Sequence, residues 1–220
     1  MSRDAVELET GRNPAATVIW LHGLGADGHD FEPIVPQLVR PGERPLRFVF
    51  PHAPIRAVTI NGGSAMRAWY DIVALDRRAA EDDNGIRASQ ALIETLIRGE
   101  NARGIATERV VLAGFSQGGS LALFTGTRYP ERLAGIMGLS CYQLLATHFD
   151  AERVAANQST PIFLAHGMQD PVVAPALGEE ACRQLQKAGY AVDWHAYGMP
   201  HAVCPQEVTD IAVWLRRVLP

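Results

Sequence analysis

Lysine is almost absent from this chain, and its absence removes several classes of function. Lys187 is the only lysine among 220 residues, and the formal net charge is -4. Arginine does not cluster either, so the sequence lacks the basic patch with which proteins bind nucleic acid or anionic membrane surfaces. We therefore expect no nucleic-acid partner.

Cysteine is also scarce. Cys141, Cys182 and Cys204 lie far apart in the sequence, and no C-x-x-C pair occurs. Three scattered cysteines do not build a disulfide framework, and their spacing does not suit a zinc or redox site. We expect free thiols in a reducing compartment.

Long apolar runs are missing as well. No run approaches the roughly 20 residues that a membrane-spanning helix needs. The first residues, Met1–Glu7, lack the apolar segment of a secretory signal. We expect a cytoplasmic protein without stable membrane insertion. A length of 220 residues, 47% of them hydrophobic, predicts one domain over residues 1–220.

Short apolar runs alternate along the chain with segments of helical periodicity. The predicted strands are Val18–Leu21, Phe48–Phe50, Val110–Ala113, Gly135–Leu139, Ile162–Ala165 and Val192–Tyr197. The predicted helices are Asn84–Arg103, Gln117–Arg128, Ala176–Ala188 and Gln206–Val218. This alternation predicts an α/β fold with a mostly parallel central sheet and helices on both faces. Residues 51–83 read as a long irregular segment, which in compact domains is usually functional.

The pentapeptide Gly114-Phe115-Ser116-Gln117-Gly118 has the form G-x-S-x-G and lies between a predicted strand and a predicted helix. A serine on such a sharp turn is the nucleophile elbow of α/β-hydrolases. Because a bare match is weak, the surrounding context has to support it. We take Ser116 as the candidate nucleophile.

A serine nucleophile needs a histidine base, and the histidine needs an acid that fixes its tautomer. In α/β-hydrolases the acid and then the histidine follow the serine along the chain. Asp170 is the best candidate acid, because it directly follows the strand Ile162–Ala165, where active-site loops gather. The other aspartates after Ser116 lie in a polar stretch, within a strand or on a helix face: Asp150, Asp193 and Asp210.

His201 is the candidate base, because it lies between the last predicted strand and the last helix. His195 lies within that strand and reads as structural. His166 precedes Asp170 and suits a brace for the acid loop, whereas His148 has no strand before it.

Two backbone N–H groups have to stabilise the oxyanion of the tetrahedral intermediate. Gln117, directly after the nucleophile, is one candidate donor, and its position at a helix start adds the helix dipole. Leu24 is the other, in the glycine-rich stretch Leu21–Gly28 that follows an early strand. A phosphate loop is the alternative for this stretch, but neither G-x-G-x-x-G nor G-K-[ST] is present.

Taken together, these motifs resemble the phospholipase/carboxylesterase family, which includes bacterial carboxylesterases and acyl-protein thioesterases. The matching blocks follow the family order: Leu21–Gly28, Phe50–Pro54, Val58–Gly63, Ala68–Asp71, Gly114–Gly119, His166–Asp170 and Pro200–His201. Ala202 and Cys204 depart from the family pattern, in which serine and an acidic residue are common. The triad is unaffected, but the capping of the final helix is left open.

The resemblance implies an α/β-hydrolase fold without a large cap domain, with Ser116, Asp170 and His201 as the triad. It also implies an acyl groove lined by the connection after the third strand. The candidate lining residues are Ile60, Met66, Trp69, Tyr70, Ile72 and Leu75, with Val172 beside the acid. Ordinary packing is the alternative for each of them, and Trp69 and Tyr70 could equally anchor the structure.

These features predict a serine carboxylesterase that hydrolyses esters or thioesters of short to medium acyl chains, without cofactor or metal. A lysophospholipase or acyl-protein thioesterase acting on longer chains is the alternative, because it uses the same catalytic groups. A non-catalytic binding protein is the alternative of another class, and the complete triad disfavours it. Because some family members dimerise, the resemblance leaves a homodimer open.

Overall fold

A twisted sheet of mostly parallel strands forms the centre of the computed structural model, which describes residues 5–40, 42–74 and 81–219. The strands are β1 (Ala5–Glu9), β2 (Ala16–Leu21), β3 (Leu46–Pro51), β4 (Ile55–Val58), β5 (Ser64–Arg67), β6 (Val110–Phe115), β7 (Gly135–Leu139), β8 (Ile162–Gly167) and β9 (Val192–Tyr197). The central sheet has the order β1-β3-β2-β6-β7-β8-β9. Within it only β1 runs antiparallel to its neighbour. The short strands β4 and β5 form a separate antiparallel pair.

Helices cover both faces of this sheet. They are α1 (Val35–Leu38), α2 (Asp83–Ala102), α3 (Gln117–Gly126), α4 (Phe149–Glu152), α5 (Pro175–Lys187) and α6 (Pro205–Val218). In β2, Ile19 and Leu21 belong to an apolar cluster with residues of α2, α3 and α5. Val18 and Trp20 belong to a second cluster with residues of α1 and α6. Because successive side chains of a strand point to opposite faces, β2 contributes to both cores.

The predicted architecture is confirmed. Each predicted strand corresponds to a strand of the central sheet, and the predicted helices correspond to α2, α3, α5 and α6. The description of residues 51–83 as wholly irregular was wrong, because that segment contains the β4–β5 hairpin. Within the described residues no large cap domain covers the sheet.

Parallel register places the ends of five strands at one edge of the sheet. Leu21 pairs with Gly114, Phe115 with Leu139, and Gly167 with Tyr197. The loops that follow β2, β6, β7, β8 and β9 therefore start side by side, which is where ligands bind in open α/β sheets. Separately, no helix in the described ranges is long and apolar enough to cross a membrane.

The final helix begins without a side-chain cap. Its N-cap is Cys204, whose side chain makes no capping hydrogen bond, and Pro205 occupies the first turn. Proline is well suited to that position, because its missing N–H would have no partner within the helix. Cys204, where the chain departs from the family pattern, therefore gives no side-chain cap, and Pro205 marks the start of the helix.

Candidate active site

Ser116 lies on a strained turn between β6 and α3. Its backbone angles are φ 54° and ψ -120°, which a non-glycine residue adopts only under constraint from its surroundings. Gly114 and Gly118 make the turn possible. A Cβ atom on Gly114 would lie 2.6 Å from the Gly119 nitrogen, and one on Gly118 would lie 2.6 Å from the His22 carbonyl oxygen. Strand, turn and helix therefore pack with backbone directly against backbone.

Ser116, His201 and Asp170 form a continuous hydrogen-bonded chain. His201 Nε2 lies 2.9 Å from Ser116 Oγ, and His201 Nδ1 lies 2.6 Å from Asp170 Oδ2. Since the ionised carboxylate can only accept, Nδ1 carries the proton and Nε2 is free to accept from the hydroxyl. The structure thus brings together the three residues that the sequence singled out.

Asp170 is held in place by the turn that follows it. Its Oδ1 accepts the backbone N–H groups of Val172 at 2.8 Å and Val173 at 2.9 Å. Its side chain is fully buried. The His201 ring is also held in place, because the Phe115 ring packs against it with ring centroids 4.7 Å apart. Both the acid and the imidazole therefore have fixed orientations.

The glycine-rich loop after β2 is fastened beside the elbow by two buried aromatic side chains. His22 Nδ1 lies 2.7 Å from the Gly23 carbonyl oxygen, and His22 Nε2 accepts the Ala53 N–H at 3.0 Å. Burial lowers the pKa of His22, so the ring is neutral and its proton lies on Nδ1. The Trp69 indole N–H donates to the His22 carbonyl at 2.9 Å. These contacts fix the loop that carries Leu24.

A cleft of about 300 Å³ opens beside Ser116. Its lining residues are Gly23, Leu24, Ala26, Asp30, Ile60, Asn61, Ile72, Phe115, Ser116, Gln117, Tyr142, Val172, Val173 and His201. The predicted positions Leu24, Gln117, Ile60 and Val172 therefore line the same cavity as Ser116 and His201. Larger clefts of about 430 and 550 Å³ lie elsewhere, and no triad residue lines them.

Trp69 and Tyr70 do not line the cleft, contrary to the prediction. They are only 1% and 2% exposed. Instead the Trp69 N–H donates to Gln117 Oε1 at 2.9 Å, and Gln117 Nε2 donates to the Tyr70 carbonyl at 2.8 Å. These two residues therefore anchor the segment before the groove to the first turn of α3.

Met66 is also absent from the lining of this cleft. Its sulfur accepts a hydrogen bond from Asn61 Nδ2 at 3.2 Å, within the hairpin region. Leu75 lies outside the described residues.

Tyr142 lines the cleft although the sequence reading did not select it. It belongs to the loop after β7, in which Ser140 and Leu145 have positive φ angles of 47° and 44°. The Ser120 hydroxyl accepts the Tyr142 N–H at 3.2 Å and ties this loop to α3. The signal was available, because the loop directly follows a predicted strand and so starts at the active edge.

Metal ligation has no candidate in the described part of the chain, where no group of three or more His, Cys, Asp or Glu side chains is placed to hold an ion.

The chain is similar in sequence and in fold to known hydrolases. The profile of the phospholipase/carboxylesterase family matches residues 4–219. Acyl-protein thioesterase 1 of Neurospora crassa is 43% identical over 215 residues, covering 93% of this chain and 87% of that protein. The crystal structure of Arabidopsis thaliana SOBER1 superposes with a TM-score of 0.86 at 31% identity, covering 93% of this chain and 99% of the other.

Zea mays acyl-protein thioesterase 2 gives a TM-score of 0.84 at 27% identity, over 98% of this chain and 99% of the other. The expected α/β-hydrolase fold and the expected hydrolase class are both confirmed by these similarities. The chain belongs to the phospholipase/carboxylesterase family.

Proposed function

We propose that this protein is a serine thioesterase that removes acyl chains from S-acylated cysteines through an acyl-enzyme on Ser116. The observation that carries the proposal is the hydrogen-bonded chain from Asp170 through His201 to Ser116, at 2.6 and 2.9 Å. It ends in a cleft with several aliphatic residues in its wall, among them Ile60, Ile72 and Val172.

The thioester preference is supported by the relatives. Acyl-protein thioesterases occur among them at 35–43% identity over nearly the whole chain. This similarity favours a thioesterase over the short-chain carboxylesterase that the sequence reading put first.

The proposed reaction begins when His201 Nε2 takes the proton of the Ser116 hydroxyl, and Oγ attacks the thioester carbonyl. The backbone N–H groups of Leu24 and Gln117 stabilise the oxyanion of the tetrahedral intermediate. Asp170 stabilises the imidazolium and keeps its proton on Nδ1. His201 then protonates the leaving sulfur, and an acyl-enzyme remains.

Water completes the cycle by the same roles in reverse. His201 takes a proton from water, the hydroxide equivalent attacks the ester carbonyl, and Ser116 leaves as the restored hydroxyl. A cysteine thiol, whose ordinary pKa is about 8.5, is a better leaving group than an alcohol. We therefore propose that acylation of Ser116 is the easier step with thioesters.

Acyl length is selected by apolar burial. Each methylene that leaves water contributes roughly 0.8 kcal/mol. Each further methylene of the acyl chain that is buried in the cleft therefore raises kcat/KM, until the cleft is full.

A graded substrate series tests the proposal. Thioesters and p-nitrophenyl esters from butanoyl to palmitoyl are compared by kcat/KM, together with an S-palmitoyl peptide and a lysophospholipid, and Ser116→Ala is the control. We expect thioester hydrolysis that rises with chain length and disappears in Ser116→Ala. Fast hydrolysis of butanoyl oxygen esters with no turnover of any thioester would restore the carboxylesterase reading, and preference for the lysophospholipid would identify a lysophospholipase.

A further inference from the structure

His166 is a buried histidine that the reaction above does not use. It lies in β8, four residues before Asp170, and is fully buried. Its Nε2 lies 2.9 Å from the Val173 carbonyl oxygen and 3.4 Å from Asp170 Oδ2. The ring is therefore wedged between the catalytic acid and the turn that holds it.

The protonation state of this ring follows from its surroundings. Burial lowers the pKa of His166, and His201 lowers it further. Together these effects outweigh the hydrogen bond to Val173 and the charges of Asp170 and Glu179, which act in the opposite direction. The ring is neutral near neutral pH. Because Nε2 faces two acceptors, it carries the single proton.

Only one ring nitrogen of His166, Nε2, makes a hydrogen bond to the described part of the chain. Within the described residues, Nδ1 is buried and has no hydrogen-bond partner. It faces Gly178 of α5, where a Cβ atom would lie 3.0 Å from His166 Cε1 and still closer to Nδ1. An unpaired buried acceptor costs free energy, which an aliphatic side chain would avoid. A role in packing alone gives no reason for a histidine here.

We propose that His166 is the positioning residue for Asp170, an inference that rests on the catalytic role proposed above for that acid. The His166 N–H holds the Val173 carbonyl, and the Val173 N–H together with that of Val172 holds Asp170 Oδ1. The same N–H faces Oδ2, the oxygen that accepts from His201. His166 thus closes the turn around the carboxylate and keeps Oδ2 aimed at the imidazole.

Two substitutions at this position separate positioning from packing. His166→Leu fills the space without a donor, whereas the side-chain amide of His166→Gln can donate to the same acceptors. For each variant we measure kcat/KM per active site, counted by complete fluorophosphonate labelling, together with its pH profile and the melting temperature. Counting sites removes any loss that is due only to unfolded protein.

We expect His166→Leu to lower kcat/KM per site by about 3- to 10-fold, the loss typical of a hydrogen bond between neutral groups, since the His166 N–H bonds the Val173 carbonyl. Its acidic limb should move to lower pH, because a loosened carboxylate stabilises the imidazolium less. His166→Gln should recover most of the loss. If His166→Leu has the wild-type rate per site and an unchanged profile, with a lower melting temperature alone, the positioning role is wrong.

Gly178→Ala provides a second, independent perturbation, because the added methyl displaces the His166 ring without changing any residue of the triad. We expect it to lower kcat/KM per site in the same direction as His166→Leu. Gly99→Ala is the matched control, since among the described residues a Cβ atom there meets nothing within 4 Å apart from its chain neighbours and its own helix backbone. Equal rates in both alanine variants would contradict the inference. Absence of any Ser116-dependent hydrolysis in the wild type would instead overturn the proposed function itself.

Discussion

Gly118→Ala is the substitution whose effect follows most directly from the geometry of the elbow. The new methyl carbon would lie 2.6 Å from the His22 carbonyl oxygen and closer still to that of Leu21. Ordinary contact begins at 3.4 Å, so the His22 oxygen alone requires about 0.8 Å of backbone movement, and the Leu21 oxygen requires more. Both oxygens are backbone carbonyls, so they cannot turn away as a side chain could. Leu21 is the last residue of β2, and His22 is held by its own hydrogen bonds, so this backbone is fixed.

That movement separates α3 from the loop that carries Leu24, and these two elements hold the proposed oxyanion donors. A misplacement of about 1 Å can cost roughly 100-fold in rate. Overpacking of this kind costs about 1–3 kcal/mol of stability. We expect Gly118→Ala to lower kcat/KM by about 100-fold and to lower the free energy of unfolding, measured by thioester hydrolysis and urea denaturation.

Gly99→Ala serves as the control for the same chemical change. It lies in α2 with open space around the new methyl group. Alanine is favoured over glycine within a helix by about 1 kcal/mol, so this variant should be as active as the wild type and slightly more stable. Wild-type kcat/KM in Gly118→Ala would refute the argument that backbone contact at the elbow sets the catalytic geometry.

Three further predictions concern the acid, the loop anchor and a buried carboxyl group. Asp170→Asn should lower kcat by about 10⁴-fold, because an amide no longer fixes the His201 tautomer; a loss below about tenfold would point to another acid. Trp69→Phe removes the donor to the His22 carbonyl and should lower the free energy of unfolding by about 1–3 kcal/mol. The acyl-length preference should stay unchanged; a changed preference would indicate that Trp69 lines the groove. Burial raises the pKa of Glu207 from 4.5 to about 8, so the folded state binds its proton more tightly than the unfolded chain. The resulting stabilisation is complete below about pH 4.5 and is lost as the pH rises through about 8. Glu207→Gln should therefore match the wild type in acid and exceed its unfolding free energy by a few kcal/mol at about pH 9; equal urea denaturation of the two proteins at that pH would contradict this.

The sequence predicts the frame and the triad because both leave strong local signals. Apolar runs such as Ile162–Ala165 mark strands that are covered on both faces, and the order serine, acid, histidine selects Asp170 and His201 from several candidates. The glycines of the elbow are explained by direct backbone contact on both sides of Ser116.

The wall of the cleft could not be predicted to the same degree, because it depends on how loops from distant parts of the chain pack. Trp69 and Tyr70 have the residue types of an acyl groove, yet their backbone bonds to Gln117 turn them into an anchor. Tyr142 reaches the cleft because its loop has positive φ angles at Ser140 and Leu145. Neither residue is a glycine, so the sequence does not indicate this loop conformation. The half-buried edge strand Ala5–Glu9 likewise lacks the continuous apolar run that marks the inner strands.

Trapping the covalent intermediate is the most direct test of the central claim, which is that Ser116 carries the acyl group. The wild-type protein is mixed with a long-chain acyl thioester, quenched in acid during the first turnover, digested and examined by mass spectrometry, with Ser116→Ala treated in parallel. We predict one acyl group on Ser116 in the wild type and none on the corresponding peptide of the variant. An acyl group on another residue such as Cys204, or full turnover by Ser116→Ala, would contradict the account.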